Sequence, residues 1–290
     1  MLTKNDIRIR DPFILSDRDS NTYYMYGTTD ENVWNGPATG FDAYKSSDLK
    51  NWEGPYQVFR PDAEFWADQH FWAPEVFYHN DQYYMFASFK AEGKCRGTQI
   101  LTSHNPLGPF QPLTEEPVTP RDWECLDGTL FIDNHKNPWL IFCHEWLQVH
   151  DGEICAVRLA SDFKTAIGDP IVLIKASDAK WTIPVRGETD YVTDGPFLHR
   201  TQNGGLLMLW SSRSARGYAV GIARSLTGTI DGPWFHEEQP LMDEDGGHGM
   251  LFKTFKNELM LTIHAPNQTP DERPVFLLVE EQNGELEVMK

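Results

Sequence analysis

Asp11-Pro12-Phe13-Ile14-Leu15 opens a unit of sequence that decides the fold, because a similar opening recurs four more times along the chain. In each copy a short turn of polar or small residues, usually with Pro or Gly, leads into an apolar strand. The other openings are Ala73-Pro74-Glu75-Val76-Phe77, Asp127-Gly128-Thr129-Leu130-Phe131, Asp194-Gly195-Pro196-Phe197-Leu198 and His248-Gly249-Met250-Leu251-Phe252. Successive openings are 54 to 67 residues apart, which leaves room for about four short strands in each unit.

A second apolar and often aromatic strand follows each opening after a polar turn. These partner strands are predicted at 23–27, 83–87, 139–143, 206–210 and 258–263. Helical signals are scarce, since Gly, Pro and β-branched residues interrupt most stretches longer than about ten residues. Five such units predict an all-β fold, a five-bladed β-propeller that forms a single domain over residues 1–290. The blades start near Asp11, Ala73, Asp127, Asp194 and His248. An irregular β-sandwich whose turns resemble one another by chance is the alternative.

The charge of the chain narrows the partners that it is expected to bind. It has 25 basic and 43 acidic residues and a formal net charge of −18, so neither nucleic acid nor an anionic membrane surface is expected as a partner. No apolar run approaches the roughly 20 residues of a membrane span. Residues 1–10 contain no apolar run like that of a secretory signal, which predicts a cytoplasmic protein. The four cysteines show no zinc-binding spacing.

The propeller would bring several polar residues together on one face. The innermost strand of each blade lines the central channel, so its start lies near the axis, and the second strand returns to the same face. Asp11, Asp127 and Asp194 would converge there from the first strands, together with His248. The second strands would add Glu145, Arg213 and His264. For any single Asp, the ordinary interpretation is a turn initiator that caps a backbone amide.

Converging carboxylates are suited to cleavage of a glycosidic bond. Like charges raise one another's pKa, so one carboxyl can stay protonated as an acid while another activates water. Aromatic residues lie near the same strand ends, and Trp72 and Trp146 are candidates for stacking on sugar rings, with a place in the core as the equal alternative. Arg213 and His264 are candidates for binding sugar hydroxyls. The predicted partner is therefore an oligosaccharide.

These segments, taken in order, resemble glycoside hydrolase family 43, whose members are inverting five-bladed propellers acting on arabinose-, xylose- and galactose-containing glycans. The resemblance covers nearly the whole chain and rests on five segments: Arg10-Asp11-Pro12, Trp72-Ala73-Pro74-Glu75-Val76, Asp127-Gly128-Thr129-Leu130-Phe131, Asp194-Gly195-Pro196 and Gly247-His248-Gly249. It implies that Asp11 is the general base, that Asp127 orients the acid and raises its pKa, and that Asp194 is the general acid. It also implies that His248 contributes to a calcium or other cation site, although no cofactor is required for the reaction.

One residue departs from the family pattern. The family usually has Glu at the fourth-blade acid, whereas this chain has Asp194, whose carboxyl is shorter in reach by roughly 1.5 Å. Three interpretations stay open: Asp194 is the acid in a narrowed site, Glu145 or Glu188 has taken over the role, or the protein binds sugars without cleaving them.

The first hypothesis for function is a hydrolase that removes terminal arabinofuranosyl, xylosyl or galactosyl units from plant-type oligosaccharides by a single inverting displacement. An α-L-arabinofuranosidase or β-xylosidase is the expected type. The alternatives are a non-catalytic sugar-binding propeller, or another five-bladed carbohydrate enzyme such as a fructosidase or a glycoside phosphorylase. The sequence does not determine the oligomeric state.

Overall fold

The computed structural model describes residues 1–289 and is a five-bladed β-propeller, which confirms the predicted fold. Each blade is a four-stranded antiparallel sheet built from four consecutive strands, numbered β1 to β20 along the chain. A short helix α1 (Trp146–Val149) and two 3₁₀ turns (Lys4–Asp6 and Ala176–Asp178) are the helical segments of this part of the chain. No helix within residues 1–289 is long and apolar enough to cross a membrane.

The strands follow one order in every blade, from the channel outwards. Blade 1 contains β1 (Arg10–Asp17), β2 (Thr22–Thr28), β3 (Phe41–Ser46) and β4 (Glu53–Phe59). Blade 2 contains β5 (Gln69–His79), β6 (Gln82–Lys90), β7 (Gly97–Ser103) and β8 (Gln111–Pro112). Blade 3 contains β9 (Cys125–Ile132), β10 (Pro138–His144), β11 (Glu153–Leu159) and β12 (Ala166–Lys175). Blade 4 contains β13 (Asp194–Arg200), β14 (Leu206–Ser214), β15 (Gly217–Ser225) and β16 (Trp234–His236). Blade 5 contains β17 (Gly247–Lys253), β18 (Leu259–Ala265), β19 (Arg273–Gln282) and β20 (Glu285–Val288).

Neighbouring blades pack through large apolar side chains. Between blades 1 and 2, Phe41 and Phe59 face Phe71 and Phe89, and all four side chains are buried. Their ring centroids lie 4.9 to 6.1 Å apart in tilted or edge-to-face pairs, which is the favoured range for aromatic contacts. These aromatic side chains therefore join blade 1 to blade 2.

The first nine residues connect blade 1 to blade 5. Leu2 and Trp52 of blade 1 exchange backbone hydrogen bonds of 2.9 and 2.8 Å. On the other side the Ile9 N–H donates to the Glu272 carbonyl at 3.4 Å, and the Ile9 side chain is fully buried. Since every blade uses only its own four strands, this segment closes the ring in place of a strand shared between the first and last blades.

Candidate active site

A β-bulge at the start of every inner strand sets the geometry of the channel mouth. In each blade two residues of the first strand lie opposite one residue of the second. The pairs are Asp11-Pro12, Ala73-Pro74, Asp127-Gly128, Gly195-Pro196 and His248-Gly249. The first residue of each pair has a left-handed φ of 46° to 56°, a conformation that costs energy for residues other than Gly. The second residue is always Pro or Gly.

This register corrects the ring expected from the sequence. The residue of blade 4 that is equivalent to Asp11 and Asp127 is Gly195, and Asp194 lies one position earlier, paired with Ser211. Gly is required at this bulge because a Cβ on Gly195 would lie 2.8 Å from ring carbons of His248. Aligning the five openings on their Pro or Gly would have given the observed register.

The N–H group of each bulge residue donates to a side chain of the preceding blade. We call these five contacts the amide belt: Asp11 to His264 Nδ1 (3.1 Å), Ala73 to Thr28 Oγ1 (2.8 Å), Asp127 to Ser88 Oγ (2.8 Å), Gly195 to Asp127 Oδ2 (2.9 Å) and His248 to Ser211 Oγ (2.8 Å). Four acceptors come from the end of a second strand. In blade 3 that position is Cys143, and the Asp127 carboxylate accepts the amide instead. The same type of hydrogen bond from the backbone N–H therefore supports all five bulges, including the four whose first residue is not Gly and whose left-handed φ costs energy.

A pocket of about 350 Å³ opens above the belt. Seven of the nine residues predicted for the site line it: Asp11, Asp127, Asp194, Glu145, Trp72, Trp146 and His248. Arg213 and His264 are not among the lining residues. Arg213 is exposed at the end of β14, and His264 is completely buried. The geometry therefore does not offer either residue to a substrate, contrary to the expectation that they bind its hydroxyls.

Asp11 is surrounded by groups that favour its ionised form. The Thr28 hydroxyl donates to its Oδ2 at 2.7 Å, and His248 Nδ1 lies 3.2 Å from its Oδ1. Burial pushes the pKa of Asp11 up, but its electrostatic interactions with His248 and Arg10, together with the Thr28 hydrogen bond, bring the pKa below its ordinary value. Asp11 is therefore a carboxylate at neutral pH.

Asp127 and Asp194 have the opposite character. Burial, followed by the charge of Asp11, raises the pKa of Asp127 to about 8. Burial, followed by the charge of Asp127, raises the pKa of Asp194 to about 7. The Tyr218 hydroxyl donates to Asp194 Oδ2 at 2.9 Å and opposes part of that rise. Of the three Asp carboxyls in the pocket, Asp11 is ionised near neutral pH, whereas Asp127 and Asp194 retain protons.

The buried His264 positions Asp11. Its Nδ1 accepts the Asp11 N–H at 3.1 Å, and its Nε2 lies 3.2 Å from Asn267 Oδ1, which requires the proton on Nε2. Burial lowers the pKa of His264 to about 4, so the ring is neutral. His264 therefore fixes the backbone of Asp11 and does not form an ion pair with its carboxylate.

Glu145 lines the pocket but is already paired. Its carboxylate binds the guanidinium of Arg96, and both side chains are buried. Burial raises the pKa of Glu145 above its ordinary value, although the Arg96 charge opposes the rise. A carboxylate that accepts from Arg96 is poorly placed to donate a proton, which favours Asp194 over Glu145 as the acid. Glu188, the other alternative, is exposed and is not a lining residue.

Several pocket residues escaped sequence reasoning because they lie outside the repeated openings. Arg96 stacks over the Trp72 ring at 4.2 Å and donates to His70 Nδ1 at 2.9 Å. Tyr218 reaches Asp194 from β15, which is separated from the strand of Asp194 by β14. Trp34 stands at the rim on a loop, edge-on to Trp72 with ring centroids 5.5 Å apart. Of these residues, only Tyr218 could have been found from the sequence, because the β14–β15 hairpin places it opposite Arg213.

A cation beside His248 stays a prediction. Calcium takes about six to eight oxygen ligands, whereas His248 offers one ring nitrogen beyond the Nδ1 that faces Asp11. Within residues 1–289, no group of three or more His, Cys, Asp and Glu side chains is arranged to hold a metal ion. A cation here would take most of its ligands from water.

Comparison with known proteins gives one family. A family model for glycosyl hydrolases family 43 matches residues 6–278. The structure of an endo-arabinase from Bacteroides thetaiotaomicron VPI-5482 is 44% identical with a TM-score of 0.91, covering 98% of this chain and 99% of that one. An endo-1,4-beta-xylanase from the same organism is 26% identical with a TM-score of 0.81, covering 99% and 96%. A thermostable family-43 glycoside hydrolase, 23% identical with a TM-score of 0.83 and covering 100% and 96%, shares the fold. Curated protein sequences give no match.

Proposed function

The chain belongs to glycosyl hydrolase family 43, and from this premise we propose that it removes terminal arabinofuranosyl, xylosyl or galactosyl units from oligosaccharides by an inverting displacement. One observation carries the proposal. Three Asp carboxyls line one pocket, and their surroundings keep Asp11 ionised while raising the pKa of Asp127 and of Asp194. Carboxyls whose pKa values are pushed apart in this way mark a base and an acid.

The proposed reaction is a single displacement. The Asp11 carboxylate takes a proton from a water molecule as that water attacks the anomeric carbon, and the bond to the leaving oxygen breaks. Asp194 donates its proton to that oxygen. The products are a free sugar of inverted configuration and a shortened alcohol. Asp11 ends protonated and Asp194 ionised, and exchange with solvent restores both.

Asp127 acts on Asp194 in two ways under this proposal. Its Oδ2 accepts the N–H of Gly195 at 2.9 Å, which holds the backbone directly after the acid. Its carboxyl also raises the pKa of Asp194, because two neighbouring carboxyls resist being ionised together. Asp127 is accordingly a positioning residue, which supports the role that the family resemblance implies.

Arabinose is the first choice of sugar. The relative of known structure that is 44% identical is described as an endo-arabinase, and the one that is 26% identical as a xylanase. These names support arabinofuranosyl ahead of xylosyl units, and both pentoses suit a pocket near the small end of the usual range for ligand sites, about 300–1,000 Å³.

A panel of aryl glycosides tests the proposed function. We expect turnover of an aryl α-L-arabinofuranoside, independent of added phosphate, with NMR showing that the first-formed sugar has inverted anomeric configuration. Asp11→Asn should lose at least about 100-fold in kcat, whereas Asp169→Asn on the exposed part of β12 should match the parent. Retained configuration, phosphate-dependent turnover or binding without turnover across the panel would contradict the proposal.

A further inference from the structure

The loop between β2 and β3 is built as a fixed wall of the pocket. We call residues 31–39 the Trp34 loop. At its base the buried Asp30 accepts the N–H groups of Asn32 (2.9 Å) and Gly40 (3.2 Å), and also that of Thr39. One carboxylate thus ties both ends of the loop to blade 1.

Blade 2 holds the middle of the same loop. The Ala38 N–H donates to the Asp68 carbonyl at 2.7 Å, and the Trp72 indole N–H donates to the Val33 carbonyl at 2.7 Å. His70 Nε2 lies 3.0 Å from the Trp34 carbonyl. Since Trp72 also lines the pocket, the loop is fastened to the pocket itself.

Trp34 extends this wall to blade 5. Its indole N–H donates to Thr269 Oγ1 at 3.1 Å, across the gap between the first and last blades. The Arg10 guanidinium lies 4.9 Å from the ring centroid, in the range for a cation–π contact. The side chain is nevertheless 47% exposed, so one face of the indole is available at the pocket rim.

The wall stands on the same side of the pocket as the base. The Trp34 ring packs on the guanidinium of Arg10, the residue next to Asp11, whereas Asp194 belongs to blade 4. In an inverting displacement the base and the acid act on opposite sides of the anomeric carbon, so the leaving part of the substrate lies towards Asp194. A further sugar attached on the non-reducing side of the reacting unit would have to extend away from Asp194, past Trp34.

We propose that Trp34, held by Thr269 and the Trp34 loop, closes the pocket behind the reacting sugar and restricts cleavage to the non-reducing end of a chain. The inference rests on the proposed function and adds the residue that determines where the chain is cut. Because the hydrogen bonds described above already fix the loop to blades 1, 2 and 5, its position does not depend on closure over a substrate. The endo-arabinase relative is described by a name that implies internal cleavage, so the proposal distinguishes this chain from it.

The test compares early products from linear arabino-oligosaccharides, with an aryl arabinofuranoside as the reference substrate. The parent should release the monosaccharide as its first product. Trp34→Ala should increase the share of oligosaccharide products from the linear substrate by about tenfold or more, which corresponds to about 1.4 kcal/mol, and its aryl-glycoside rate serves only to normalise the products. Thr269→Val, which removes the indole partner and nearly preserves side-chain shape, should shift products in the same direction. Tyr78→Ala, an exposed aromatic on β5 outside the pocket, is the matched control and should behave as the parent.

Three results would overturn the proposal. The first is a parent that turns over the aryl glycoside but releases mixed oligosaccharides from the start, which would leave the proposed function intact. The second is a pair of folded Trp34→Ala and Thr269→Val variants, judged by their melting curves, that both keep the monosaccharide pattern of the parent. The third is a parent that turns over no aryl glycoside, which would overturn the proposed function as well.

Discussion

Asp11 and Asp194 are the same type of residue in the same pocket, and their partners make them chemically different. Asp11 receives the Thr28 hydroxyl and faces His248, so its charge is compensated. Asp194 has the Tyr218 hydroxyl as its hydrogen-bond donor and lies near a second carboxyl, so its charge is disfavoured. The shorter Asp in place of the usual Glu is compatible with the acid role, because Asp194 lines the pocket with a raised pKa.

The pH dependence of kcat/KM follows from these two residues. Activity should fall at acid pH as Asp11, whose pKa lies below its ordinary value, becomes protonated. It should also fall above about pH 7 as Asp194, whose pKa is raised to about 7, loses its proton. Tyr218→Phe removes a hydrogen bond that favours the ionised acid, so the alkaline limb should move upward by about half to one pH unit. A limb that stays in place or moves downward would contradict this account.

At the scale of single elements, the bulge at the start of each inner strand is the unit that builds the site. It turns the backbone so that its first residue, such as Asp127 or His248, takes a left-handed φ that needs support from the preceding blade. Ser88 and Ser211 provide that support through buried hydroxyls. The site and the contact between blades therefore depend on the same residues.

Replacement of one belt hydroxyl tests this link. Ser211→Ala leaves the buried His248 N–H without its acceptor, and we expect the free energy of unfolding to fall by about 1–3 kcal/mol. Ser16→Ala on β1 is the control, because the Ser16 hydroxyl is buried with no hydrogen-bond partner, and it should change stability by no more than about 0.5 kcal/mol. Urea titration measures both variants. Equal losses in the two variants would show that the belt contact is not what stabilises the bulge.

At the scale of the whole molecule, the proposed acid and base, Asp194 and Asp11, belong to different blades, and only the closed ring brings them together. The sequence predicted this closure from the spacing of the repeat and identified Asp11 and Asp127 from their place in it. It misplaced Asp194 relative to the bulge by one residue, since an Asp-Gly turn looks the same whether Asp or Gly takes the left-handed φ. Trp34 lies in a loop fixed by distant partners such as Thr269, and such contacts leave no periodic signal.

The segment that closes the ring gives a prediction at the same scale. Ile9 is fully buried between blades 1 and 5, so Ile9→Ala should lower the free energy of unfolding by about 2–5 kcal/mol. Ile167→Ala at an exposed position of β12 should stay within about 0.5 kcal/mol of the parent. Fluorescence and circular dichroism should report one shared transition in Ile9→Ala. An unchanged midpoint would rule out this segment as the closure.

The dependence of Asp194→Asn on the leaving group tests the central claim most directly, because a general acid is needed only when the leaving oxygen is a poor leaving group. With an unactivated oligosaccharide we expect kcat to fall by about 10²–10⁴-fold, and with a dinitrophenyl glycoside the loss should be much smaller. Glu145→Gln, the matched variant at the other candidate acid, should lose no more on one substrate than on the other. Equal losses on both substrates in Asp194→Asn, or a selective loss in Glu145→Gln, would contradict the assignment of Asp194 as the acid opposite Asp11.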